Sequence, residues 1–274
     1  RDLVRSRGLG DVYKRQVNFS TNKNKIVKLH EDLKEMIYGP TSFSSSYAMK
    51  LIKGGSIGDI YGKAFVRDDA GNIVYETEGD NKGLPLVEGD GNTVKVGNAN
   101  PVFMMGWDHT FSYKGFTLYF LLDWRYGGEV LSQTQAEMDL YGVSEITADA
   151  RDRGYVMLDG QRIDNVKGFY KIVGGRAGVT EYYMYDATNI RLRELSVGYQ
   201  LPAAWMEKTK VLKRAQLSFS GRNLFFFYKK APFDPDLVLS TGNDNQGIEV
   251  YGRDHIQIRC AACYAMEVNS VINL

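Results

Sequence analysis

Three groups of residues have the types that chemistry requires. Cys260-Ala-Ala-Cys263 has the spacing of a redox dithiol or of half a zinc site. A structural zinc needs four ligands, yet these are the chain's 2 cysteines, and its 3 histidines, His30, His109 and His255, are scattered. Asp68, Asp69 and Asn72, followed by Asp80, Asn81 and Asp90, place oxygen ligands in glycine-rich turns, but not at EF-hand spacing. Turn formation accounts for them, because Asx side chains bond their own backbone two residues on. No G-x-G-x-x-G, P-loop, G-x-S-x-G or H-E-x-x-H pattern occurs. The sequence therefore assigns no catalytic residue, no metal ligand and no cofactor, and the expectation is a protein that is not an enzyme. The third group, charged and aromatic residues set in alternating segments, depends on the elements that carry them.

Those elements have period two. In FMMGWDHTFSY one face holds Phe103, Met105, Trp107, Phe111 and Tyr113, and the other Met104, Asp108, Thr110 and Ser112. FTLYFLLDWR sets Phe116, Leu118, Phe120, Leu122 and Trp124 against Thr117, Tyr119, Asp123 and Arg125. AQLSFSGR repeats the design, and YAMEVNSVINL alternates through Tyr264, Met266, Val268, Ile272 and Leu274. In ATNIRLRELSVGYQLP the phase slips between Leu192 and Leu195, which calls for a bulge near Arg193–Glu194. NFSTNKNKIVKL is a weaker strand, and IYGKAFVRDDAGNIVYET reads as a hairpin turning at Asp69–Asn72.

The links between strands are unequal. Lys114-Gly115 makes a tight reversal and LPAAWMEKTKVLKR a moderate one, whereas 30–101, 126–184 and 229–260 are long. Alternating short and long links are the habit of transmembrane barrels, with short periplasmic turns and long outer loops. If Lys114-Gly115 is periplasmic, counting strands returns the last one to the periplasm. No stretch approaches the ~20 apolar residues of a membrane helix, but a barrel strand needs only about 9–11 residues of alternating polarity. The 34 basic and 33 acidic residues nearly cancel, so nothing draws the chain to nucleic acid.

The third group can now be placed. Asp123, Arg125, Arg191, Arg193 and Arg222 fall in the strands, where a solvated lumen wall accommodates charge. Phe225, Phe226, Phe227 and Tyr228 end an outward strand, at the depth of an aromatic interface girdle. Lys229-Lys230 follow into water, and Pro232 and Pro235 stop pairing. Tyr126, Tyr141, Tyr170, Tyr182 and Tyr183, in or beside the long loop 126–184, offer faces on which sugar rings stack, or else pack the loop or meet a partner. Two other readings stand beside the barrel: a soluble β-rich glycan-binding module that buries Phe116, Leu118, Phe120 and Leu122 in its core, and a secreted β-rich hydrolase, which needs a paired-carboxylate cleft the sequence does not display.

NANPVFMMGWDHTFSYKGFTLYFLLDWRYGGEVLS, YDATNIRLRELSVGYQLP and GRNLFFFYKKAPFDPDLVLSTGNDNQGIE resemble the C-terminal part of the SusC/RagA family of TonB-dependent outer-membrane transporters. The resemblance implies an all-β fold: the C-terminal portion of a large antiparallel transmembrane β-barrel, 22 strands in a full family member, with long extracellular loops. It implies a bacterial outer-membrane location and contact with outer-membrane lipid. It also implies import of oligosaccharides or peptides, a SusD-like surface lipoprotein as partner, and drive from TonB through an N-terminal plug region that these residues do not include.

The ends are expected to differ. RDLVRSRGLGDVYKRQ, residues 1–16, has no apolar period and resembles a translated library adapter, which leaves 17–274 as the barrel part. Beyond GIEVYG the sequence departs from the family's usual Ser-Thr-Arg-like stretch, and 253–263 reads as a possible frameshift. Leu274 stands where the family's closing aromatic is expected.

Overall fold

The structure is a computed structural model that describes residues 12–38, 44–88, 93–202, 204–205, 212–236, 247–249 and 257–266. Six strands form one antiparallel sheet: β1 (Val12–Ser20), β2 (Phe103–Tyr113), β3 (Phe116–Tyr126), β4 (Asn189–Gln200), β5 (Leu212–Lys229) and β6 (Gln257–Met266), paired in that order. β2 and β3 are joined by Lys114 and Gly115, with φ of 45° and 88°. Positive φ at both central residues is the type I′ geometry whose twist matches a two-residue hairpin. All the long connections leave from the opposite end, where Phe103 faces Tyr126 and Asn189 faces both Arg125 and Lys229.

The register sorts side chains into cross-strand rows. Phe111, Leu118, Val197 and Phe219 form one row, and Trp107, Leu122, Leu192 and Phe225 another. On the opposite face lie Thr110, Tyr119, Ser196 and Ser220, and, nearer the loop end, Asp108, Leu121, Glu194 and Arg222. Keeping this sorting along β4 needs the bulge that its sequence demands. The register slips between Leu192 and Glu194 against both neighbours, and Asn223 on β5 takes φ +52° beside the slip. Without it, either Ile190 and Leu192 or Leu195, Val197 and Tyr199 would turn onto the polar face, since a one-residue slip exchanges faces. Trp107, Phe111, Phe116, Leu118, Val197, Leu217 and Phe219 are all exposed, so the sheet carries a continuous uncovered apolar face.

β1 differs from the strand expected over 18–29. It spans Val12–Ser20 and pairs with Ser112–Met104, after which Thr21 Oγ1 bonds Val102 O at 2.8 Å and the Asn- and Lys-rich run leaves the sheet. Residues 12–16, set apart in the sequence, are thus the first five of this strand, a pairing that asks only for free N–H and C=O groups on the edge of β2. Of the closing alternation, Tyr264 and Met266 lie in β6, while Val268, Ile272 and Leu274 fall outside the described residues.

The long connections do not remain loops. They fold together into a body with its own apolar core. Residues 35–98 supply a four-stranded antiparallel sheet of Glu35–Tyr38, Tyr47–Ile52, Asp59–Gly62 and Val94–Asn98. The hairpin turning through Asp68–Asn72 is present, with Asp68 Oδ1 accepting from Asn72 N at 2.8 Å. The 126–184 segment supplies helices α1 (Gln133–Tyr141), α2 (Glu145–Arg153) and α3 (Val166–Val173). Ser132, Ser144 and Asn165 cap their N-termini, and Gly142 and Gly154 end α1 and α2 in the left-handed region. Tyr47, Met49, Ile60, Phe65, Leu131, Phe169, Val173, Tyr183 and Ile248 are buried together at the centre. A third connection joins through Ile248–Glu249, parallel to Leu131–Ser132. Glu249 accepts from Ser132 Oγ at 2.8 Å and Thr134 Oγ1 at 2.7 Å, which puts a carboxylate at the positive end of α1.

Candidate functional site

The polar face of the sheet concentrates its charge at the loop end. Alternation aims Arg125 and Asp123 of β3 to this face, and the β4 bulge adds both Arg191 and Arg193. The chain beyond β5 then turns back across them. Asp234 Oδ1 accepts from Asp236 N at 3.0 Å, an Asx turn around Pro235 that fixes both carboxylates. Arg191 Nη1 donates to Asp234 Oδ2 at 2.9 Å and its Nη2 to Asp236. Arg193 Nη2 donates to Asp236 Oδ2 at 2.9 Å and Nε to Asp123 Oδ2 at 3.0 Å. Arg125 reaches Asp236 Oδ1 at 3.4 Å and Ala99 O at 3.0 Å, so it ties the wall to the loop body. Burial alone would push the Asp236 carboxyl up; the guanidinium groups of Arg191, Arg193 and Arg125 overcome this and hold it below the usual carboxylate range.

Four of the five expected wall residues, Asp123, Arg125, Arg191 and Arg193, therefore meet in one network. Arg222 lies apart and pairs with Glu194 at 3.3 Å. The sequence reading missed Asp234 and Asp236. The available signal was the D-P-D stretch, two carboxylates at alternate positions, against R-x-R on the neighbouring strand.

The four aromatics divide between the faces. The register jumps from Ile190–Tyr228 to Arg191–Phe226, which leaves Phe227 as an extra residue. Phe225, Phe227 and Tyr228 are exposed, with Phe225 and Phe227 edge to face at 4.8 Å. Phe226 instead lies under the Arg191 guanidinium, 4.7 Å from its ring centroid.

The five tyrosines are dispersed. Tyr170 and Tyr183 are buried in the loop-body core, where Tyr183 Oη donates to Asp139 Oδ2 at 2.9 Å and burial pushes its phenol far up. Tyr182 is partly buried, edge to face with Phe169 at 5.4 Å. Tyr126 stacks on Phe103 at 5.2 Å on the sheet rim. Tyr141 alone of the five presents most of its ring, 73% exposed, beside a cleft of about 770 Å³ between the ends of α1 and α3. Cys260 and Cys263 lie in β6. Asp90 and His255 fall outside the described residues, and among the described residues no group of three or more His, Cys, Asp or Glu is placed to hold a metal ion.

The sequence is 28% identical over 267 residues to TonB-dependent receptor P3 of Formosa agariphila, an alignment covering 92% of this chain and 26% of that protein. TonB-dependent receptor P39 of the same organism is 23% identical over 185 residues, 65% of this chain and 17% of that protein. The RagAB peptide importer in its open-open state superposes with a TM-score of 0.57 at 15% identity, covering 92% of this chain and 26% of the importer chain. Its closed-closed state gives 0.57 at 13% identity, covering 94% and 27%. At these identities the solved structures share the fold. No family model matches the sequence. The chain spans about a quarter of the length of the relatives it matches.

Proposed function

We propose that the chain is part of a TonB-dependent receptor of the SusC/RagA type in the bacterial outer membrane, and that it forms part of the barrel wall of an importer for oligosaccharides or peptides. In this reading a SusD-like lipoprotein closes over the outer loops and TonB drives release through a plug. The receptor moves its ligand without bond chemistry, so the work falls to the wall, the loops and their partners. The observation that carries the reading is the sheet itself. One face is apolar and uncovered, the other carries a network of three arginines and three aspartates, and all the long connections gather at one end. Lipid is the solvent that suits the first face, and a polar lumen the second.

The soluble glycan-binding module needs Phe116, Leu118, Phe120 and Leu122 inside a core. Phe116 and Leu118 are exposed instead. Phe120→Arg tests the lipid-facing assignment. At the fifth of the 11 residues of β3, on a lipid face near mid-strand, it costs about 2–4 kcal/mol, read as a lowered urea midpoint for the full-length receptor refolded in vesicles. Ser196→Arg, on the lumen face one residue along β4 from Phe120's partner Leu195, should change little. Equal effects from the two would sink the lipid-facing assignment.

Import is tested by uptake of labelled oligosaccharides and labelled peptides into cells with and without the receptor gene, and with and without TonB. Uptake of one class that requires both genes is the expected result. Receptor-independent uptake of both classes would overturn the importer reading.

A further inference from the structure

The segment 230–236 closes over three guanidinium groups without joining any ladder. Lys230 N donates to Thr188 O at 3.1 Å, and beyond it no main-chain hydrogen bond ties residues 231–236 to the sheet among the described residues. Pro232 and Pro235 have no N–H to offer. Side chains hold the segment instead. Asp234 and Asp236 sit on the arginines, and Phe233 lies edge to face with Tyr185 at 5.4 Å. A strap held in this way can lift without breaking a strand.

Its two carboxylates do not saturate what they cover. Arg191 Nε and Arg125 Nε are buried and have no hydrogen-bond partner among the described residues. An unpaired buried donor is costly, so the strap is an incomplete ligand for the groups beneath it. Charge points the same way. With the strap in place, Arg125, Arg191 and Arg193 face Asp123, Asp234 and Asp236. With the strap lifted, Asp123 alone would face the three guanidinium groups, an excess of two positive charges on forks whose geometry suits carboxylates. Entry is open on one side. The Arg193 side chain is 33% exposed, whereas that of Arg191 is buried. A solute anion therefore meets Arg193 and Asp236 first, and the Arg191–Asp234 pair last.

We propose that Arg125, Arg191 and Arg193 form a binding site for a small dicarboxylate, and that Asp234 and Asp236 occupy it as a built-in competitor. The strap is then an autoinhibitory contact, displaced by a ligand that brings two carboxylates of its own. A monoanion replaces half of the charge that the strap supplies. An uncharged solute replaces none, and leaves buried guanidinium groups without counter-ions. The carboxylates already held come from alternate residues and share the one guanidinium of Arg191, so the matching ligand carries its two carboxylates a few bonds apart. The site is read from the wall and the strap alone, and goes beyond the importer reading whatever cargo the receptor carries.

The test is calorimetric titration of the full-length receptor in detergent with linear dicarboxylates from malonate to adipate, at an ionic strength held constant with chloride. At least one is expected to bind the Asp234→Asn, Asp236→Asn double variant about tenfold or more tighter than the wild type, because strap occupancy lowers the fraction of receptor open to ligand. Glutaramide, the uncharged analogue of glutarate, should bind neither. Arg193→Gln added to the double variant should weaken binding by about tenfold, the loss of one charge-assisted hydrogen bond. In the wild type, excess dicarboxylate should raise cleavage at Asp234 and Asp236 by an aspartate-directed endopeptidase, and glutaramide should not. That readout carries the test if the double variant fails to refold. Failure of every dicarboxylate to bind the double variant, equal affinities in variant and wild type, or cleavage that dicarboxylate leaves unchanged overturns the site.

Discussion

Arg191→Ala is expected to destabilise the folded receptor by about 3–5 kcal/mol, the usual cost of removing one partner from a buried ion pair. Arg191 is 1% exposed and binds Asp234 and Asp236 together while covering the ring of Phe226. Its removal leaves two carboxylates facing Arg193 and Arg125 alone, and Asp234 loses its only cation partner among the described residues. The measurement is urea unfolding of the full-length receptor in vesicles, with protease cleavage between 230 and 236 as the local readout. Arg191→Lys should recover little, because a point charge cannot fork between two carboxylates as guanidinium does. Arg191→Met combined with Asp234→Asn and Asp236→Asn should cost less than Arg191→Ala, since replacing all charged members leaves no unpaired charge. A loss under about 1 kcal/mol for Arg191→Ala would mean the network behaves as a solvated surface cluster.

The wall was legible in the sequence for a physical reason. Each strand has one apolar and one polar face, so period two holds at nearly every position, and the break in phase at Arg193–Glu194 marks a bulge that both neighbouring registers reproduce. That Asp123, Arg125, Arg191 and Arg193 share the polar face was legible on the same ground. What they bind was not, because Asp234 and Asp236 lie 43 and 45 positions from Arg191, and no local period connects a turn to the strand it crosses. The division of Phe225–Tyr228 was hidden likewise. Four aromatics in a row have no period, and only the bulge at Phe227 decides which ring turns under Arg191.

The loop body was least legible. Its helices are short, eight or nine residues, and α1 carries almost no apolar stripe, so the periodicity that announces a helix is absent. The caps were readable. Ser132 and Ser144 precede Gln135 and Thr147, whose N–H groups they accept, and Gly142 and Gly154 close the helices. The tyrosines divide by the same logic. Tyr170 follows Phe169 on the buried side of α3, whereas Tyr141 ends α1 at a glycine cap and points away from the core.

The loop body's own apolar core yields the second large effect. Phe169→Ala is expected to cost about 3–5 kcal/mol, the range for emptying a fully buried aromatic site. Phe169 is 0% exposed and meets Tyr170 at 5.2 Å and Tyr182 at 5.4 Å, both edge to face, so the truncation removes two aromatic contacts as well as buried area. The surrounding groups come from three separate stretches of chain, with Tyr47, Ile60 and Ile248 in the same core, and a cavity there loosens all of them together. The loss should therefore be local. Amide hydrogen exchange in the full-length receptor should rise across 133–183 and 47–62, while β2, β3 and β4 keep their protection, because their ladders pair only within the sheet. Tyr141→Ala, which removes an exposed ring, should leave both regions unchanged. Exchange that rises equally in body and sheet would show one cooperative unit, and the loops would then unfold only with the wall.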